Sequence, residues 1–179
     1  MNQTLNTAIT YVNPNYKHVL EFGVYKGKTI RQLRQSFDSS YEVFGFDSFE
    51  GLPERWTGTT VDPKSFSTNG IIPNVDGVQF YKGWFSETLP LYLPIAQPIA
   101  LLHMDCDLYS STKQVLWDLN DYIVPGTVIV FDEWYYNHLD VEKNRQHEQK
   151  AFYEWVQEFN RTYRLLPEIE EERKIAIII

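Results

Sequence analysis

The chain has one cysteine, Cys106, so no intrachain disulfide can form and a disulfide-stapled secreted scaffold is excluded. Positive charge is also short: 16 Lys and Arg stand against 24 Asp and Glu, a net charge of −8. That balance lacks the basic face that displaces counterions from a phosphate backbone, so nucleic acid is not expected as a partner. Long apolar runs are missing too. The longest, Ile175 to Ile179, falls far short of the roughly 20 residues that span a bilayer, and Met1-Asn2-Gln3-Thr4 has no basic segment leading into an apolar one. The expectation is a soluble protein in the reduced cytoplasm, with no membrane partner. There is no repeat, low-complexity tract or linker either, so one domain over residues 1–179 is expected, with homo-oligomerisation left open.

What is present alternates. Apolar runs at His18 to Gly23, Val43 to Asp47, Val78 to Tyr81, Ile99 to Asp105, Thr127 to Asp132 and Ile175 to Ile179 read as strands. Helical period appears at Leu5, Ala8, Ile9 and Val12, at Ile30 and Leu33, at Val115 through Ile123, and at Phe152, Trp155 and Phe159. Strand and helix in turn predict a mostly parallel sheet covered by helices. Ser110-Ser111-Thr112 offers N-caps to the helix running to Ile123, and Pro125-Gly126 offers its end. Arg164 to Ile169 and Ile175 to Ile179, joined by a charged turn, read as an antiparallel pair. Ser48 to Asp76 is too long for an ordinary connection, which predicts a ligand-related loop.

Two of the predicted strands end in acid: Leu101-Leu102-His103-Met104-Asp105-Cys106-Asp107 and Val128-Ile129-Val130-Phe131-Asp132-Glu133. Ligands of open parallel sheets lie beyond the carboxyl ends of the strands, so Asp105, Asp107, Asp132 and Glu133 are expected around one crevice. Four crowded carboxylates repel one another and call for a cation.

After the first strand, Glu21-Phe22-Gly23 runs through Val24-Tyr25-Lys26 to Gly27-Lys28-Thr29, a strand, a glycine turn and a helix start. One reading is a P-loop NTPase, with Gly27-Lys28-Thr29 closing the signature and Asp132-Glu133 as the Mg²⁺ strand. Three residues separate the glycines where the signature needs four. The other is an S-adenosylmethionine (SAM) site, with Asp47 at the end of the second strand accepting from ribose hydroxyls and Glu21 near the methionine end. A purely structural strand-to-helix turn is the third. Trp56, Trp84, Phe85, Trp134, Tyr135 and Tyr136 are aromatics close to these segments and candidates for a pocket wall.

Glu21 to Gly27, Phe46 to Pro53, Gly83 to Pro90, His103 to Thr112 and Pro125 to Trp134, in this order, resemble the macrocin O-methyltransferase family of class I SAM-dependent O-methyltransferases, distant relatives of catechol O-methyltransferases. The resemblance implies a seven-stranded Rossmann-like sheet, mostly parallel, with one antiparallel C-terminal strand and helices on both faces. It implies SAM bound by Glu21, Gly23, Gly27, Asp47, Ser48 and Asp105, with Gly83, Trp84 and Phe85 bordering the adenine. It also implies Mg²⁺ or another divalent cation on Asp105, Asp132 and Glu133, and a small-molecule acceptor, a vicinal diol of a sugar or glycosylated product. Asp105 and Asp107 are candidates for the catalytic step, Asp107 facing cofactor, substrate or metal. The histidine base assigned to family members has no counterpart between His18 and His103, which leaves His138, with Asp62 and Lys64 in the long loop as alternatives. The helix at Thr4 to Val12 stands where longer relatives carry a covering N-terminal extension. A SAM-binding module without catalysis is the remaining alternative.

Overall fold

A computed structural model describes residues 2–135, 146–170 and 172–179. Its seven strands are β1 (His18–Phe22), β2 (Glu42–Asp47), β3 (Val78–Lys82), β4 (Ile99–Met104), β5 (Val128–Phe131), β6 (Tyr163–Leu165) and β7 (Lys174–Ile178). They lie in the order β3-β2-β1-β4-β5-β7-β6. β1 to β5 run parallel, and β7 alone is reversed, pairing antiparallel with β5 and with β6. The Rossmann-like sheet expected from the sequence is therefore present.

Both faces of the central strands are covered, which explains why β1, β4 and β5 read as unbroken apolar runs: every residue in them is buried. Alternate residues point to opposite faces. Leu20, Phe22, Leu102, Met104, Ile129 and Phe131 pack with α3 (Phe85–Tyr92), α4 (Tyr109–Asp118) and α5 (Glu148–Glu158) through Leu89, Val115, Leu116, Phe152 and Trp155. Val19, Val43, Leu101, Val128 and Val130 pack with α1 (Gln3–Ile9) and α2 (Lys28–Ser36) through Leu5, Ala8, Ile30 and Leu33. No helix among the described residues is long and apolar enough to cross a membrane.

Three local expectations change. α4 ends at Asp118, not Ile123, because the chain turns after Leu119, and Gly126 at φ +96° serves the turn into β5 instead. Its N-cap is Leu108 with no side-chain cap; the Ser110 hydroxyl donates to Glu54. α3 was not anticipated, since Pro90 interrupts a helix of only eight residues; its first turn is held by Glu87, whose carboxylate accepts the Trp84 N–H.

The chain passes from β1 outward to β2 and β3, then crosses back to β4 on the other side of β1. The carboxyl ends of β1 and β4 therefore flank the point where strand order reverses, the place in such sheets where a crevice opens.

Candidate active site

The turn leaving β1 is shaped by its neighbour. Gly23 sits at φ +91°, its N–H donates to the Phe46 carbonyl, and a Cβ there would lie 1.7 Å from the Asp105 carbonyl oxygen. Only glycine lets the ends of β1 and β4 approach this closely. Asp47, at the end of β2, then organises the turn. One of its carboxylate oxygens accepts the Val24 and Tyr25 amides at 2.8 and 2.6 Å, and the other accepts Phe49 N–H at 2.7 Å.

Beyond these strand ends lies a cavity of about 590 Å³, within the range of small-molecule sites. Gly23, Asp47, Ser48, Gly83, Trp84, Phe85, Asp105, Asp107 and Glu133 all line it, as the sequence led one to expect. Tyr25, Cys106, Ser111 and Gln114 join them, and the long loop contributes Gly51, Leu52, Pro53 and Phe66. Ser111 and Gln114 were not anticipated; their signal was the three-residue spacing on one face of α4.

Other expected residues stand elsewhere. Gly27, at φ +75°, packs on Pro73 and does not reach the cavity wall. Glu21 is fully buried, accepts the Thr29 hydroxyl at 3.1 Å and meets His103 Nδ1 at 2.9 Å. Trp134 belongs to the core against Phe131 and Phe152. His138 and Tyr136 lie outside the described residues. The P-loop geometry fails here: Lys28 is exposed and off the cavity, and the Thr29 hydroxyl is already bonded to Glu21.

The four carboxylates divide into two settings that share Asp105. Asp105, Asp107 and Glu133 each offer an oxygen within 4.8 Å of the others, and a ring nitrogen of His103 with oxygens of Asp105 and Asp132 forms a second such group. Only the first three carboxylates line the cavity. Burial, then the charges of Asp132 and Asp47, pushes Asp107 up to about 7; burial, then Asp107 and Asp132, pushes Glu133 up to about 8. Burial and the Asp132 charge also raise Asp105 well above the carboxylate range. Glu133 Oε2 is buried with no hydrogen-bond partner among the described residues. Three crowded oxygens with raised proton affinity and one unmatched acceptor are a donor set suited to a hard divalent cation.

Asp132 is different. Burial would raise it, but His103 and Arg173 outweigh that and hold it well below the usual carboxylate range. Burial opposes the charge on His103 as well, yet the flanking Asp132 and Glu21 hold its pKa well above normal. Neither His103 nor Arg173 was assigned from the sequence. A histidine within an apolar strand and an arginine in a charged turn carry no local mark of partnership.

The segment 48–76 is docked rather than free. The Leu52 N–H donates to the Pro63 carbonyl, Glu50 bridges Ser67, Ser110 donates to Glu54, and His147 Nε2–H donates to the Thr57 carbonyl at 3.0 Å. Trp56, only 3% exposed, packs edge-on against the His147 ring. Because five residues of this segment wall the cavity, its anchoring shapes the site. His147→Ala removes a hydrogen bond and a ring contact, roughly 1–3 kcal/mol of docking. Limited proteolysis is expected to cut within 48–76 several-fold faster in the variant; unchanged cutting would show that His147 does not hold the segment.

The family description Macrocin-O-methyltransferase (TylF) matches residues 58–154, just over half of the 179 residues. The chain is 29% identical over 140 residues to 8-demethyl-8-(2,3-dimethoxy-alpha-L-rhamnosyl)-tetracenomycin-C 4'-O-methyltransferase of Streptomyces olivaceus, covering 65% of this chain and 52% of that protein. It is 28% identical over 142 residues to mycinamicin III 3''-O-methyltransferase of Micromonospora griseorubida, covering 65% and 54%. The chain thus spans about half the length of the curated relatives it matches. Among solved structures, the calicheamicin methyltransferase CalS11 shares the fold with a TM-score of 0.74 at 24% identity, over 98% of this chain and 77% of that one.

Proposed function

This chain belongs to the macrocin O-methyltransferase family, and on that footing we propose that it is a SAM- and Mg²⁺-dependent O-methyltransferase. The acceptor is a hydroxyl, one of a vicinal pair, on the sugar of a glycosylated small molecule. The observation that carries the reading is the meeting of two features in one cavity: the Gly23–Asp47 turn and the Asp105, Asp107, Glu133 oxygens. The relatives are named as O-methyltransferases of elaborate small molecules, one of them a rhamnosyl-tetracenomycin, which supports the acceptor class.

The cavity walls fit a sulfonium nucleoside. Asp47 Oδ2 is filled by the Val24 and Tyr25 amides, while Oδ1, which accepts only the Phe49 amide, retains a lone pair for a ribose hydroxyl. Trp84, 38% exposed at the wall, supplies aromatic surface against which a flat base can pack. A bound Mg²⁺ would orient the two acceptor oxygens and make one of them more acidic. The protein's own part is to hold donor and acceptor in line and to exclude water with the docked 48–76 segment. The acceptor oxygen forms its bond to the methyl carbon, the C–S electron pair returns to sulfur, and the hydroxyl proton leaves to Asp107. Because this pathway needs no phosphate grip, calorimetry is expected to show S-adenosylhomocysteine binding and none for ATP. Methyl transfer to a panel of glycosides should then require Mg²⁺. Tight ATP binding without S-adenosylhomocysteine binding would overturn the reading, and donor binding without transfer to any glycoside would leave a binding module.

A further inference from the structure

Asp132 is expected from the family resemblance to be a metal ligand, yet its surroundings complete it without one. Arg173 grips it with two nitrogens, Nε at 2.5 Å on Oδ1 and the second guanidinium nitrogen at 3.0 Å on Oδ2. Asn2 Nδ2 donates to Oδ1 at 3.3 Å, and His103 Nε2 stands 3.5 Å from the same oxygen. Two cationic groups thus face one carboxylate that does not line the cavity. Arg173 is itself fixed from behind. Glu170 lies 3.5 Å from its other terminal nitrogen, and Glu170 Oε2 accepts both the Thr4 amide and the Thr4 hydroxyl at 2.8 Å. Asn2 caps α1 with its side-chain oxygen, so the start of that helix is tied to Asp132 twice, once directly and once through Glu170 and Arg173.

A bidentate guanidinium–carboxylate pair takes a lone pair on each oxygen and neutralises the charge that would draw a metal to them. Glu133, the next residue, turns the other way: its backbone N–H donates to buried Glu148 at 3.0 Å while its side chain faces the cavity. We propose that Arg173 is a positioning residue that withholds Asp132 from the cation and so assigns the divalent ion to Asp105, Asp107 and Glu133. The inference rests on the metal-dependent reading above and deepens it. It makes Asp132 part of an ion-paired wall behind the site, joined to α1.

The test uses Mn²⁺ as the probe, with its affinity read by electron paramagnetic resonance on the full chain in the presence of S-adenosylhomocysteine. Removing the pair as a neutral unit, with R173Q/D132N, keeps an amide-to-amide hydrogen bond in place of the ion pair. Mn²⁺ affinity is expected to stay within about threefold of the unsubstituted protein, while D107N weakens it on the order of tenfold or more. R173M alone leaves Asp132 unneutralised and is expected to tighten Mn²⁺ severalfold; R173K, which keeps the charge, is expected to restore the original value. R173M/D132N is run alongside to cover misfolding of the amide pair, and circular dichroism confirms the folded state of each variant. If the double variants lose Mn²⁺ as severely as D107N does, Asp132 is a ligand and the assignment falls. If the unsubstituted protein binds S-adenosylhomocysteine but no Mn²⁺, the metal-dependent reading falls with it.

Discussion

Stripped of divalent cations, the protein is expected to lose on the order of 5 kcal/mol of stability as the pH is raised from 5 to above 8, and Mg²⁺ is expected to restore most of it at the alkaline end. Asp107 and Glu133 drive the effect. Burial, with the Asp132 and Asp47 charges behind it, raises Asp107 from 3.8 to about 7, and burial, with the Asp107 and Asp132 charges behind it, raises Glu133 from 4.5 to about 8. Across the interval between the unfolded and folded values the native state keeps protons that the unfolded chain has released. Stability is therefore full below about pH 4 and falls as the pH climbs through the folded values. Each shift alone corresponds to roughly 4 kcal/mol, and the two are linked through the Asp132 charge and the action of Asp107 on Glu133, so their sum is an upper bound. A cation removes the penalty because it replaces the protons as the compensating charge. His18 and His147 act in the opposite sense. Burial lowers both, so their contribution is lost as the pH falls below about 6.5, which deepens the acid side of the curve without touching the alkaline one. Urea unfolding in EDTA and in Mg²⁺ at pH 5, 6.5 and 8.5 measures this. A curve in EDTA that rises with pH, or one that Mg²⁺ leaves unmoved at pH 8.5, would contradict a shared carboxylate site.

The second large effect is expected from Gly23→Ala. A side chain at φ +91° costs about 1–2 kcal/mol in backbone strain. Its Cβ would also meet the Asp105 carbonyl at 1.7 Å, and the obstacle is backbone anchored directly to two fully buried strands, so no flexible side-chain end can yield. Forcing β1 and β4 apart adds about 1–3 kcal/mol more, and the total lowers the unfolding midpoint by on the order of 10 °C. Donor binding should fall with it, since the same residue lines the cavity. Gly58→Ala is the matched control: φ +84°, with nothing within 4 Å of the added carbon, so only the strain remains. Equal shifts in the two variants would show that the close approach of the strands is not what requires glycine at 23.

The sequence made β1, β4 and β5 visible because burial on both faces leaves no polar interruption in them, and each ends abruptly where acid begins. It made Gly23, Asp47 and the carboxylates visible because strand ends in a parallel sheet converge by rule. It could not separate Asp132 from Glu133. Adjacent residues at a strand end face opposite ways, and the partner that Asp132 meets on its side, Arg173, stands 41 residues away in the sequence. The same holds for His103, whose partners Glu21 and Asp132 come from β1 and from the end of β5. α3 escaped because Pro90 broke a period already too short to recognise. The anchoring of the long loop escaped because His147 and Ser110 contact it through a backbone carbonyl and an acid that no spacing links to them.

The closeness of Gly23 and Asp105 also bears on how the molecule comes to exist. Their contact joins segments about eighty residues apart, and the parallel pairing of β1 with β4 must close that entire span before either gains its neighbour. Local helix formation in α2 or α4 can run ahead of this step, but the crevice cannot, because one wall is β1 and the other is β4. The crevice is therefore complete only once that long-range pairing has closed.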